Sequence, residues 1–186
     1  LIIHTADETG SSSGPDYEFG WGLMNTEAAA NLITDDGTTN DIISEHTLNN
    51  NIDFNLILES SGTEPVEITI VWNDPAGTAS NSSEVDDNSP NLINDLDLRI
   101  SSSSTTYFPY ILDPNNPSNT ATTGDNVSDN VEKILIQNPS PGAFDLIVSH
   151  KNSLLNGSQD FSMIISGATF PCPYNLTIND DPIIDD

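Results

Sequence analysis

From Ile52 onward the chain repeats apolar and polar residues with a period of two, the spacing of a strand with one buried face. Ile52, Phe54, Leu56 and Leu58 alternate with Asp53, Asn55 and Glu59, and Val66, Ile68, Ile70 and Trp72 with Glu67, Thr69 and Val71. Further alternations carry Leu96, Leu98 and Ile100, then Ile134 and Ile136, then Phe144, Leu146 and Val148, and last Phe161, Met163 and Ile165. These predict six strands, and weaker patterns around Ile42 and Tyr107 raise the number to eight. One helix is predicted before them. Asn25 caps it, Glu27 sits at its positive end, Ala28, Ala29, Ala30, Leu32 and Ile33 favour it, and Asp35-Asp36-Gly37 ends it. With no second long helix and turns rich in Gly, Pro, Asn and Asp, the expected fold is mainly β, an antiparallel β-sandwich or jelly roll over residues 42–167.

Ahead of that domain, Leu1 to Thr5 reads as the end of an element and Ser11 to Pro15 as a loop. In Gly20-Trp21-Gly22 two glycines bracket a tryptophan, the pattern of backbone packed closely against something else. Residues 1–33 carry Leu1, Ile2, Ile3, Phe19, Trp21, Leu23, Met24, Leu32 and Ile33, too much apolar surface for a free arm, so they are expected to depend on a partner. Two long polar connections, Asp74 to Asn91 and Pro109 to Asp129, exceed ordinary loop length. After Gly167 the alternation fades, and residues 168–186 read as an acidic linker toward a further module. The start at Leu1, without Met or a basic leader, reads as a cut inside a longer chain.

Charge narrows the partners. The 186 residues hold 29 Asp and Glu against 3 Lys and Arg, a formal net charge of −26. So few cations cannot neutralise phosphates, which argues against nucleic acid and anionic membranes as partners. No apolar run approaches the roughly 18 residues of a membrane span. Self-repulsion on this scale calls for screening by salt or bound cations. The single cysteine, Cys172, allows no internal disulfide.

Catalytic chemistry finds little support. His4, His46 and His150 are available as bases, but no Gly-x-Ser-x-Gly elbow and no Gly-Thr-Ser before a helix accompanies them. The histidines lack the spacing of a zinc site. Calcium is better supported, because it wants six to eight oxygens and the chain clusters carboxylates with amides. Asp95 and Asp97 fall on one face of a strand opposite its apolar face, so their carboxylates can converge on one ion. Asp125, Asp129 and Glu132, with Asn126 and Asn130, form a plausible second half of that site. The competing reading is that carboxylates in so acidic a chain cluster by chance and face water, as expected for Asp86 and Asp87. Asn-x-Ser/Thr triplets at Asn81, Asn126, Asn156 and Asn175 are no more than this composition yields by chance.

At this point the motifs resemble a known family. Leu1-Ile2-Ile3-His4-Thr5-Ala6-Asp7, Gly14-Pro15-Asp16-Tyr17 and Gly20-Trp21-Gly22-Leu23-Met24-Asn25 with the Ala-rich helix look like the end of a subtilisin-like serine protease domain. Val71-Trp72-Asn73-Asp74-Pro75, Leu92-Ile93-Asn94-Asp95-Leu96-Asp97-Leu98, Asp129-Asn130-Val131-Glu132, Gly142-Ala143-Phe144 and Gln159-Asp160-Phe161-Ser162 resemble the C-terminal sandwich of secreted alkaline subtilases. The resemblance implies that residues 1–36 end an α/β catalytic domain and residues 42–167 form a jelly roll that often binds calcium. The parent would be a secreted or cell-surface, calcium-stabilised serine endopeptidase acting on protein or peptide substrates. Its triad would lie upstream, His4 would not be the catalytic histidine, and this chain alone would be inactive.

Two functions follow as expectations. The chain is the non-catalytic C-terminal part of such a protease, partnered by the missing catalytic domain, or it is a free-standing calcium-dependent carbohydrate-binding or adhesion module with Tyr17 and Trp21 as platforms. Packing of Gly20-Trp21-Gly22 against the sandwich favours the first.

Overall fold

A computed structural model describes residues 1–10, 12–36, 42–79 and 88–171. The expectations for Asp86, Asp87, Asn81, Cys172, Asn175 and most of the acidic tail therefore lie outside the described residues. Helix α1 spans Thr26–Asp35, and its Asn25 cap accepts the Ala28 N–H at 2.8 Å, as the sequence predicts. The strands are β1 (Ile42–Asn49), β2 (Phe54–Ser60), β3 (Val66–Trp72), β4 (Leu96–Ser102), β5 (Thr105–Tyr107), β6 (Tyr110–Ile111), β7 (Thr122–Thr123), β8 (Val131–Ile136), β9 (Gly142–His150) and β10 (Ser158–Ser166). The described residues are thus mainly β, with antiparallel sheets and one short α-helix.

Each of the eight predicted strands is present. The pairing is nested: β1 lies against β10, β2 against β9, β3 against β8 and β4 against β5, all antiparallel. That is the order of one long hairpin folded back on itself. Pairing of β10 with β3 and of β9 with β4 completes two four-stranded sheets, β1-β10-β3-β8 and β2-β9-β4-β5. The alternating apolar residues of both sheets, including Ile68, Ile70, Leu98, Ile100, Leu146 and Met163, belong to one buried cluster. Burying each contributes roughly 1.5–3 kcal/mol. Trp72 is in that core, its indole N–H donating to the Asn94 carbonyl at 2.9 Å so that the polar edge is not stranded.

Within the second long connection, Tyr110–Ile111 and Thr122–Thr123 form a small hairpin that the sequence pattern does not reveal. Between them Asp113 accepts from Asn115 N–H and the Asn116 amide, organising the turn locally.

The first residues lie on the outer face of the β1-β10-β3-β8 sheet. His4 is 5 % exposed and covers Thr69, a β3 residue pointing away from the core. Gly22 is required where the chain returns: a side chain there would collide with the Asp7 carbonyl, because Asp7 and Leu23 exchange backbone hydrogen bonds of 2.8 and 2.9 Å. Trp21 borders a small cavity with Glu67, Lys133 and Tyr110 and so lies against the sheet, while Gly20 is exposed with open space around it. Ile2, Phe19, Leu23, Met24 and Ile33 stay exposed, and only Leu32 of α1 is buried.

Candidate functional site

The alternation of β4 turns Leu96 and Leu98 into the core and sets Asp97 and Arg99 on the opposite face, with Asp95 just ahead of the strand. β9 lies beside β4, and Lys151 follows its end at the level of Asp95, whose carbonyl accepts the Lys151 N–H at 2.9 Å. Lys151 Nζ then stands 3.3 Å from Asp95 Oδ2, 2.8 Å from Asp97 Oδ1 and 2.8 Å from Asp125 Oδ1. Arg99 adds bonds of 2.8 Å to Asp97 and 2.7 Å to Asp125, and lies 3.9 Å from Glu132. Two of the three Lys and Arg side chains in the chain are committed to this cluster.

Glu132 enters from the other sheet. It is fully buried on β8, and its Oε2 accepts the Leu98 N–H, on a stretch of β4 that β5 does not reach because β5 pairs only with Ile100–Ser102. The fifth expected ligand, Asp129, lies apart from the ion pairs. Asn126 accepts its N–H at 3.2 Å and donates to its carboxylate at 3.2 Å, closing a local turn.

Burial sets the protonation of the cluster. It pushes the Glu132 carboxyl up to about 8, against the Leu98 N–H and the Arg99 charge. Burial also raises Asp95 and Asp97, with Lys151 opposing it at both. Asp125 is held well below the usual carboxylate range, first by its hydrogen bond from Lys151. Burial disfavours the Lys151 charge, but the hydrogen bonds to Asp125 and Asp97 outweigh it and push that pKa up.

The carboxylates of Asp95, Asp97 and Asp125 therefore do converge on one cation, and that cation is an ammonium. Calcium needs six to eight oxygens, and at this point Lys151 holds the centre, so the residues as arranged do not fit the ion there. Asp95 Oδ1 and Glu132 Oε1 are buried without a hydrogen-bond donor among the described residues. Sequence reasoning missed Arg99 and Lys151 as members of the site. Arg99 was legible as an i+2 neighbour of Asp97 on the same strand face. Lys151 was not.

Beside this cluster the motifs that carry the subtilase resemblance meet in a second hydrogen-bond network. The Asp74 carboxylate accepts from the N–H groups of Ile93 and Asn94 at 2.7 and 2.8 Å. Asn94 is 1 % exposed; its amide donates to Gln159 at 2.8 Å and accepts the Leu155 N–H at 2.7 Å. Gln159 donates to the Asn73 carbonyl, and Asn130 donates to the Trp72 carbonyl. Residues from 72 to 159 thus lock β3, β4 and β10 at one end of the sheets.

The histidines are all engaged structurally. His46 stacks near Phe54 and Phe161 with ring centroids 4.3 and 5.5 Å away. His150 bonds the Asn152 carbonyl and takes the Asn51 N–H. His4 sits between Thr69 and Ser166 under the N-terminal segment. Among the described residues no helix is long and apolar enough to cross a membrane. No protein-family model matches the chain, and no curated protein matches it.

Proposed function

We propose that the chain is the non-catalytic C-terminal part of a secreted or cell-surface subtilisin-like serine endopeptidase, with an upstream catalytic domain as its partner. In this reading the sheets form a jelly roll that buttresses the catalytic domain and shapes access of protein or peptide substrates. The observation that carries it is the second hydrogen-bond network: Trp72, Asn73 and Asp74 from one motif of the resemblance, and Asn94, Asn130 and Gln159 from three others, are joined in space. The nested strand pairing supports the jelly roll, and the packing of Trp21 beside Lys133 and Glu67 supports a segment built onto the sheet. Calcium belongs to the proposal as a stabilising ion, supported by the excess of 29 acidic over 3 basic residues. At the Lys151 cluster it would have to displace the ammonium.

The second reading, a free-standing calcium-dependent carbohydrate-binding or adhesion module, rests on Tyr17, which is 52 % exposed on the wall of a cleft of about 610 Å³. Reading the gene upstream of Leu1 decides between them. A Gly-Thr-Ser ahead of a helix, with upstream Asp and His motifs, is expected; an upstream region without them rejects the protease. Retention of the full chain on insoluble polysaccharide, lost on Tyr17→Ala, would favour the module.

A further inference from the structure

We propose that Leu1–Asp7 form a strap closed over the outer face of the β10–β3–β8 strands, and that protonation of His4 releases it. Leu1 and Ile3 are half-buried and Ile2 is 61 % exposed, so polar contacts carry much of the hold on the strap. Each of the three strands supplies one holder. Thr69 of β3 bonds His4 Nδ1 at 2.9 Å, Ser166 of β10 bonds Nε2 at 3.0 Å, and Lys133 of β8 donates to the Ile3 and His4 carbonyls at 3.1 and 3.3 Å. The third and last cation of the chain is thereby spent on the strap.

A neutral imidazole donates from one ring nitrogen and accepts at the other, so one hydroxyl accepts from the ring and the other donates to it. Protonation makes both nitrogens donors and puts a second positive charge in a buried site. The charged groups facing His4 are Glu67 on β3, 3.7 Å from Nδ1, Lys133 on β8, and the Leu1 amino group of the strap; β10 brings only the Ser166 hydroxyl. Glu67 cannot freely compensate, because Lys133 already holds it at 2.7 Å. Burial, with the Lys133 charge, pushes the His4 pKa down to about 3. A histidine whose pKa is lower docked than free favours docking above the free value and opposes it as pH falls. Between pH 6.5 and 4.5 the docking constant therefore drops about fiftyfold through His4, and close to a hundredfold from pH 7.5. Glu67, raised by burial, acts in the opposite direction, since a carboxyl that is more easily protonated in the fold favours docking as pH falls, and it offsets part of the His4 effect.

Hydrogen exchange on the full chain, corrected for the intrinsic pH dependence of exchange, tests this. The Thr5, Asp7 and Leu23 amides, hydrogen-bonded in the docked strap, should lose up to about a hundredfold in protection between pH 7.5 and 4.5 while Ile68–Trp72 keep theirs. His4→Gln retains a donor and an acceptor without a titrating ring, and should abolish the loss of protection on acidification, since the Glu67 contribution that remains has the opposite sign. An NMR titration of the wild-type ring checks the same point without a variant: His4 should stay neutral to below pH 4. A ring that titrates near 6.5, an unchanged response in His4→Gln, or loss of protection in the strap and in β3 together would each overturn the proposal.

Discussion

Lys151 Nζ and Asp97 Oδ1 lie 2.8 Å apart across 54 residues of sequence, brought together because β9 runs antiparallel beside β4. The ammonium fills the point on which three carboxylates converge, and its removal leaves like charges facing one another.

Lys151→Met is therefore expected to lower stability by roughly 1–3 kcal/mol at low salt, less than a fully buried pair because the lysine is partly exposed. The same variant should gain more from calcium than the parent does. Thermal melts with and without calcium, against sodium at equal ionic strength, check both points. In the parent chain an ion bound only by the folded state adds about 2.7 kcal/mol at a hundredfold excess over Kd. If Asp95→Asn and Asp97→Asn keep the full calcium response, the ion binds elsewhere.

Glu132→Gln should change how stability depends on pH. The folded pKa of Glu132, about 8, lies above the ordinary 4.5, so its protonated form fits the fold. Its stabilising contribution is complete below pH 4.5 and is lost as pH rises through about 8. The glutamine keeps an acceptor for Leu98 N–H without a charge. Chemical denaturation in a chelator at pH 5 and 8.5 should find the variant relatively more stable at the higher pH, by a few kcal/mol at most. An equal difference at both values would refute the assignment.

Asn94→Ala removes a side chain that serves both Gln159 and Leu155. The buried Gln159 amide and the half-buried Leu155 N–H then lose their partner, and a loss of about 1–3 kcal/mol is expected. The denaturation midpoint should fall without change in slope. A loss below half a kcal/mol would mean that solvent reaches the network.

The purified 186-residue chain should not hydrolyse casein or chromogenic peptides. Its three histidines are tied to structural partners, and His4, which lies between an acid and a serine, Glu67 and Ser166, is buried and spends the nitrogen facing the acid on the Thr69 hydroxyl. Serine-inhibitor-sensitive turnover that follows the chain through chromatography would contradict this.

Strand alternation and helix capping are local, which is why eight strands and the Asn25 cap were legible in the sequence. Local too is the shared face of Asp95, Asp97 and Arg99. The β6–β7 hairpin escaped because two residues per strand carry no period. Asp125 and Asp129 looked equivalent along the chain, yet Asn126 turns Asp129 into a local contact while Asp125 reaches Lys151. Only tertiary structure could decide that an ammonium completes the carboxylate cluster, or that His4 lies under a strap against Thr69 and Ser166. Those pairings depend on which strands become neighbours, and that order is set by burying both sheets against one core, a property of the whole chain and of no segment in it.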